Sequence, residues 1–273
     1  MFFFSDHELV LIFGLLGNII AFLVFLAPLP TFYTICKKKS SEGFQSIPYL
    51  VALLSAMLLL YYGFLKSHAI LIITINAIGC AIEITYLALY FIYAPKKQKI
   101  STLVMFGIFD VGGIGLTMIT SIFAFEGINR VHAVGWICAI FNIAVFAAPL
   151  SIMRTVIKTK SVEFMPFSLS FFLTLTAIMW FFYGFFSKDD FIMLPNVLGF
   201  LLGVAQMVLY MIYKDANKKN SSEPKGELPE WKASTIHGGL GNSGGGNNHS
   251  GDFKANKDIN LQPETSHQQI INV

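Results

Sequence analysis

The chain has 273 residues, 55% of them hydrophobic and 13% charged, with a mean hydropathy of +0.63. Soluble globular chains carry about a quarter of their residues as charges, so this chain has too few to cover a water-facing surface. Its net charge is only +3, and its three cysteines, Cys36, Cys80 and Cys138, are odd in number and widely spaced, which excludes a disulfide framework and a CxxC metal clamp.

Residues 1–8 hold Asp6 and Glu8 but no Lys or Arg, and the apolar run after them is too long for a signal-peptide core, so it reads as a first membrane span. Crossing the hydrocarbon layer takes about 20 mostly apolar residues in a helix. In chain order the qualifying stretches are Leu9–Phe32, Pro48–Leu65, Ala69–Tyr93, Thr102–Phe125, Val131–Ile152, Pro166–Phe186 and Phe191–Tyr213. Each is expected to be helical, because lipid cannot satisfy free backbone N–H and C=O groups. From Lys214 the composition turns polar and becomes rich in glycine and asparagine between Gly238 and Gly251. Such a segment buries too little apolar surface to offset its ordering entropy, so 214–273 reads as a disordered tail.

The loops set the orientation. Lys37, Lys38, Lys39, Lys96, Lys97, Lys99, Arg154, Lys158, Lys160, Lys214, Lys218 and Lys219 follow the odd-numbered spans, whereas the other side has only Lys66, Arg130 and Lys188. Basic residues favour the cytosolic side, which puts the N-terminus outside and the tail in the cytosol. The sequons at Asn220 and Asn248 then lie where glycosylation does not reach.

The chain also resembles itself. Ala27-Pro28-Leu29 recurs as Ala148-Pro149-Leu150, Lys39-Ser40 as Lys160-Ser161 and Tyr62-Gly63 as Tyr183-Gly184, all at an offset of 121. Asn76, Gly79, Tyr90 and Tyr93 recur as Asn196, Gly199, Tyr210 and Tyr213 at an offset of 120. The fold class that follows is an all-α membrane protein of seven helices, arranged as two three-helix repeats (1–95 and 128–213) joined by a linker helix (96–127). One intervening span gives both triplets the same orientation, so the repeats are parallel. Internally repeated transporters commonly hold substrate at the repeat interface near the midplane.

Asn76 and Asn196 lie inside apolar spans, where an unpartnered amide costs several kcal/mol. Interhelical hydrogen bonding would explain one such residue. Two at equivalent places favour a polar site on the repeat axis, with donors and acceptors suited to hydroxyl groups. Glu83 and Asp110 are ionisable groups within spans; Gly203 stands where Glu83 would recur, which argues for a structural or snorkelling role for Glu83 rather than ion coupling, while the sequence gives Asp110 no partner and no role. The histidines show no metal-ligand spacing, and no nucleotide loop, nucleophile elbow or nucleic-acid patch appears, so no cofactor, enzyme activity or nucleic-acid partner is expected.

Several stretches resemble the SWEET (nodulin-3/saliva) family of plant sugar uniporters, whose known architecture is itself a pair of parallel repeats. They are Phe13-Gly-Leu-Leu-Gly-Asn18, Phe25-Leu-Ala-Pro28, Ser41-Glu-Gly-Phe-Gln-Ser-Ile-Pro48, Tyr93-Ala-Pro-Lys-Lys97, Pro149-Leu-Ser-Ile-Met-Arg154, Lys158-Thr-Lys-Ser-Val-Glu-Phe-Met-Pro166, Trp180-Phe-Phe-Tyr-Gly184 and Pro195-Asn196. The resemblance covers roughly 8–214 and is nearest the sucrose-type clade. It implies sugar binding by Asn76, Asn196 and Trp180, with pocket positions at Ala21, Val24, Ser55, Val145 and Thr176. Leu59 stands where the family often has a second Trp, as in some nectary-type members, which widens the cavity at that level. The resemblance further implies an inner gate of Pro28, Pro48, Pro149 and Pro166, and an outer gate of Tyr62, Tyr183 and Asp189. A plasma-membrane location and homo- or hetero-oligomers are expected on the same ground. A hexose carrier of the same fold is the near alternative; a proton symporter and a seven-helix receptor are remoter ones, and the duplication argues against the receptor.

Overall fold

The computed structural model describes residues 5–162 and 165–222, with side chains as far as residue 214. Among these residues seven helical spans are long and apolar enough to cross a membrane. The first is α1 (Asp6–Phe25) followed by α2 (Leu29–Lys38); the second and third are α3 (Ile47–Leu65) and α4 (Ile70–Tyr93). The linker span is α5 (Lys96–Met105), a π-helical turn (Phe106–Val111) and α6 (Gly112–Ala124). The fifth is α7 (Gly127–Val145) with α8 (Ala147–Thr159), and the last two are α9 (Phe167–Phe186) and α10 (Asp190–Ser222). Here α10 runs nine residues past the Tyr213 end expected for the last span, since extending an existing helix avoids the cost of nucleating one. The rest of the expected tail, 223–273, lies outside the described residues.

Spans one and five each break where the sequence suggested one continuous helix, and proline supplies the reason. Pro28 has no N–H to give the Val24 carbonyl, which accepts instead from Ala27 N at 3.0 Å in a tighter turn. The chain resumes as α2 with Pro28 as its N-cap. In the second repeat the break falls at Phe146, and Pro149 is the third residue of α8. Pro48 and Pro166 have the other ordinary role of proline, at helix starts: Pro48 is the second residue of α3 and Pro166 is the N-cap of α9.

The helices pack in a pattern that survives exchange of the repeats. In the first triplet α4 packs against both α1 and α3; in the second, α10 packs against both α7 and α9. Between triplets α1 meets α9 and α3 meets α7, while the linker span packs on α3 and α7. Backbone detail repeats too. Among the described residues, the non-glycine positions with left-handed φ are Lys39 and Lys160, at 50° and 56°, and His68 and Lys188, at 58° and 53°. These are two repeat-related pairs, the first ending α2 and α8 and the second preceding α4 and α10.

Close helix approach depends on small residues, which in a membrane let backbones meet where the hydrophobic effect does not drive association. Gly17 on α1 faces the Trp180 indole, 3.1 Å from where a Cβ would stand. A Cβ at Gly79 would sit 2.6 Å from the Phe25 ring, and one at Gly199 would sit 3.2 Å from the equivalent Phe146. At Gly184 a Cβ would meet backbone, the Met193 N at 2.7 Å and the Asp189 O at 3.0 Å. Glu83 and Asp110 are buried, and Glu83 Oε2 and both Asp110 oxygens have no hydrogen-bond partner among the described residues.

The α9–α10 turn is therefore expected to reject any side chain at residue 184. Gly184→Ala should destabilise the purified protein by roughly 1–3 kcal/mol, the usual cost of overpacking. Gly115→Ala, where a Cβ meets nothing within 4 Å, should be neutral or slightly stabilising. Thermal unfolding in detergent compares the two; equal shifts would show that the turn is not so tightly constrained.

Candidate functional site

All six membrane spans of the two repeats contribute to one cavity of about 190 Å³. From the first triplet come Ala21 and Phe25 of α1, Leu59 of α3, and Ile72, Ile75 and Asn76 of α4. From the second come Asn142 of α7, Phe146 at the break, Trp180 of α9, and Phe191, Ile192, Pro195 and Asn196 of α10. Most of this wall is apolar, with the amides and the indole as its polar features.

The two predicted amides occupy matching positions and are held in matching ways. Asn76 Nδ2 donates to the Ile72 carbonyl at 2.8 Å, and Asn196 Nδ2 donates to the Ile192 carbonyl at 2.7 Å. Each back-bond fixes the amide on its own helix and leaves its oxygen and second N–H available. Trp180 is buried between Gly17 and Tyr183, whose ring meets the indole edge-to-face at 5.1 Å. The indole's position is thus set before any ligand arrives.

Of the other residues implied by resemblance, Ala21 and Leu59 line the cavity, and Val24, Ser55, Val145 and Thr176 do not. Val24 and Val145 each precede a phenylalanine, and the Phe25 and Phe146 rings occupy the wall. The Thr176 hydroxyl donates to the Phe172 carbonyl of its own helix at 2.8 Å. Ser55 stands one step back, donating to Asn142 Oδ1 at 2.9 Å. Sequence reasoning passed over Asn142 because its repeat-related position is Ala21, so duplication gave no signal; an amide inside an apolar span was the available clue. Pro195 was noted only as part of a motif, yet it lies inside α10 and on the cavity wall.

At the end of the bundle where α1 begins, the two repeats are tied together. The Tyr62 hydroxyl donates to Asp189 at 3.1 and 3.0 Å, and the Lys66 ammonium pairs with the same carboxylate. Tyr62 and Asp189 are buried. Asp189 also caps α10, since its Oδ1 accepts from Phe191 N at 3.1 Å and from Ile192 N at 3.3 Å. Tyr183 packs on Trp180 beneath this cluster rather than joining it. Lys66 was not among the expected gate residues, because its equivalent in the second repeat is Ser187. Pro28, Pro48, Pro149 and Pro166 begin or flank helices at the opposite end.

Seven helices built as a duplicated triplet around a cavity bordered by three amides and an indole describe a membrane carrier for a small polar solute. The chain belongs to the MtN3/saliva family, described as sugar efflux transporters for intercellular exchange, whose profile matches it twice, at residues 11–98 and 132–218. It is 61% identical over 216 residues to the bidirectional sugar transporter SWEET9 of Arabidopsis thaliana, covering 79% of this chain and 84% of that one. It is 59% identical over 227 residues to the bidirectional sugar transporter NEC1 of Petunia hybrida, covering 82% and 85%. The solved 3.7 Å structure of a eukaryotic SWEET transporter superimposes with a TM-score of 0.73 at 36% identity, covering 77% of this chain and 99% of that chain.

The tie across the repeats has a measurable consequence, because Cys138 lies buried in the same cluster as Tyr62. In a Cys36→Ser, Cys80→Ser background, Tyr62→Phe should speed labelling of Cys138 by a water-soluble maleimide about fivefold, the equivalent of ~1 kcal/mol for one lost hydrogen bond. Tyr61→Phe, whose hydroxyl pairs instead with Ser121 at 2.8 Å, should leave the rate unchanged. Identical rates in the two variants would show that the tie does not hold this end closed.

Proposed function

We propose that the chain is a bidirectional sugar uniporter of the plasma membrane, carrying sucrose down its gradient by alternating access. The observation that carries this reading is the pair of amides, Asn76 and Asn196, fixed at equivalent points of two like-oriented repeats and bordering one cavity with Trp180. Hydroxyl groups of a sugar match the amide donors and acceptors, and its C–H face matches the indole. The two relatives described above are bidirectional sugar transporters by name. Sucrose is favoured over hexose by the resemblance to the sucrose-type clade and by Leu59, which is smaller than the Trp often found there. The cavity is smaller than the ~300 Å³ at which ligand pockets usually begin, so a disaccharide enters only as the repeats separate.

In this mechanism residues 1–95 and 128–213 are the moving units and the linker helix the tether between them. The Tyr62–Asp189 tie closes the extracellular end, in the orientation given by the basic loops. The breaks at Pro28 and Pro149 let the cytosolic segments of spans one and five pivot, with Pro48 and Pro166 at the starts of the helices beside them. Association into homo- or hetero-oligomers is part of the same reading, by resemblance alone.

Counterflow in proteoliposomes tests the proposal. Labelled sucrose should exchange, unlabelled glucose should compete weakly, and a proton uncoupler should have no effect. Asn76→Ala and Asn196→Ala should each lower flux roughly tenfold, about the 1–1.5 kcal/mol of a sugar hydrogen bond. Wild-type flux in both variants at equal reconstitution would remove the amides from the mechanism. Glucose exchange that sucrose does not inhibit would make the protein a hexose carrier instead.

A further inference from the structure

Tyr86 of α4 holds span one at two points. Its hydroxyl donates to the Phe25 carbonyl at 2.9 Å, and its ring stacks on Phe32 of α2, with centroids 4.4 Å apart and planes 8° from parallel. The Phe25 carbonyl is open to this bond because Leu29 N, which an unbroken helix would turn to it, donates instead to the Leu26 carbonyl at 3.0 Å. Tyr49 of α3 meets the edge of Phe32 at 4.9 Å, so the cytosolic segment α2 sits against a cluster of three rings. One phenol therefore fixes both sides of the break before Pro28.

Span five has a corresponding break without the pin. The position related to Tyr86 is Gln206, which is buried and whose amide meets no hydrogen-bond partner among the described residues. The Phe146 carbonyl, the counterpart of the one at Phe25, accepts from Leu150 N of its own span at 3.2 Å. Met153 stands for Phe32 and Ser170 for Tyr49, which replaces two rings by a flexible thioether and a small hydroxyl. The cavity wall carries the same difference. A Cβ at Gly79 would be 2.6 Å from the Phe25 ring, against 3.2 Å between one at Gly199 and Phe146, so the pinned ring lies closer to the central helix of its triplet.

We propose that Tyr86 is a positioning residue that pins the broken span one to α4, so that the inner end opens by movement of α8 while α2 travels with its triplet. This rests on the alternating-access reading above and makes its two hinges unequal. Sugar then passes between cavity and cytosol past Phe146 rather than past Phe25.

Two measurements on the full chain test it. In hydrogen–deuterium exchange, Tyr86→Phe keeps the ring and loses only the donor. It should raise exchange across residues 26–38 about fivefold, the worth of one hydrogen bond, and leave 147–159 unchanged. Gln206→Leu, with no bond to lose, should leave both segments unchanged; faster exchange in 147–159 there would show that span five is pinned too and overturn the proposal. An even rise over both segments in Tyr86→Phe, or none in 26–38, overturns it as well. For transport, cysteine pairs in a Cys36→Ser, Cys80→Ser background tie each segment to its central helix at related positions. They are Ile35→Cys with Tyr90→Cys for α2, and Val156→Cys with Tyr210→Cys for α8. Bridging by a short bis-methanethiosulfonate should keep sugar counterflow within about twofold in the first pair and lower it about tenfold or more in the second, where it blocks the hinge. Reductant should restore the lost flux. Flux lost in the first pair, or kept in the second, overturns the assignment and leaves sugar transport standing. An unbridged protein that carries neither sucrose nor glucose overturns the transport reading itself.

Discussion

An amide placed in a hydrocarbon layer must find partners, and at residues 76 and 196 the chain supplies only part of them. Each side chain is tied to the carbonyl one turn back on its own helix, at the wall of a small cavity, and no hydrogen bond among the described residues engages its oxygen. The cost of an incompletely satisfied amide in an apolar medium is what a polar ligand relieves. Nearly everything else in the bundle serves to bring these two groups to one place. The glycines under Phe25, Phe146 and Trp180 let the rings pack close, and the third helix of each triplet lies between the other two.

Duplication explains the scaffold, and departures from it mark where the two halves have specialised. Ala69 begins α4 where Asp189 begins α10, so one capping position became a carboxylate that also receives Tyr62 and Lys66. Pro195 interrupts the hydrogen-bond ladder of α10 at the cavity, where the first repeat has Ile75. Asn142 and Ser55 pair across one inter-repeat interface, whereas Ala21 and Thr176 do not across the other. Strict symmetry would have left both ends of the bundle and both sides of the cavity chemically equivalent.

The seven spans, the parallel repeats and the two amides were legible in the sequence because each depends on a signal that survives averaging. Hydropathy marks a span regardless of its neighbours, and an asparagine recurring at an offset of 120 is conspicuous in an apolar run. What escaped depends on geometry between distant residues. The breaks in spans one and five are invisible to hydropathy, which sees Leu26 and Ala27 as ordinary apolar residues. Val24 and Val145 differ from Phe25 and Phe146 by one position, which on a helix is about 100° of rotation and decides which side chain reaches the cavity. Lys66 and Asn142 have no counterpart in the other repeat, so the comparison that revealed Asn76 and Asn196 could not reveal them.

The double duty of Asp189 separates what the two repeats share from what one of them keeps for itself. Tyr62 and Lys66 both belong to the first repeat, so parting the repeats would take both from the carboxylate, which would still accept from two backbone N–H groups at the head of α10. Those two bonds lie within one helix, so the head of α10 would keep its cap however the repeats stand to one another.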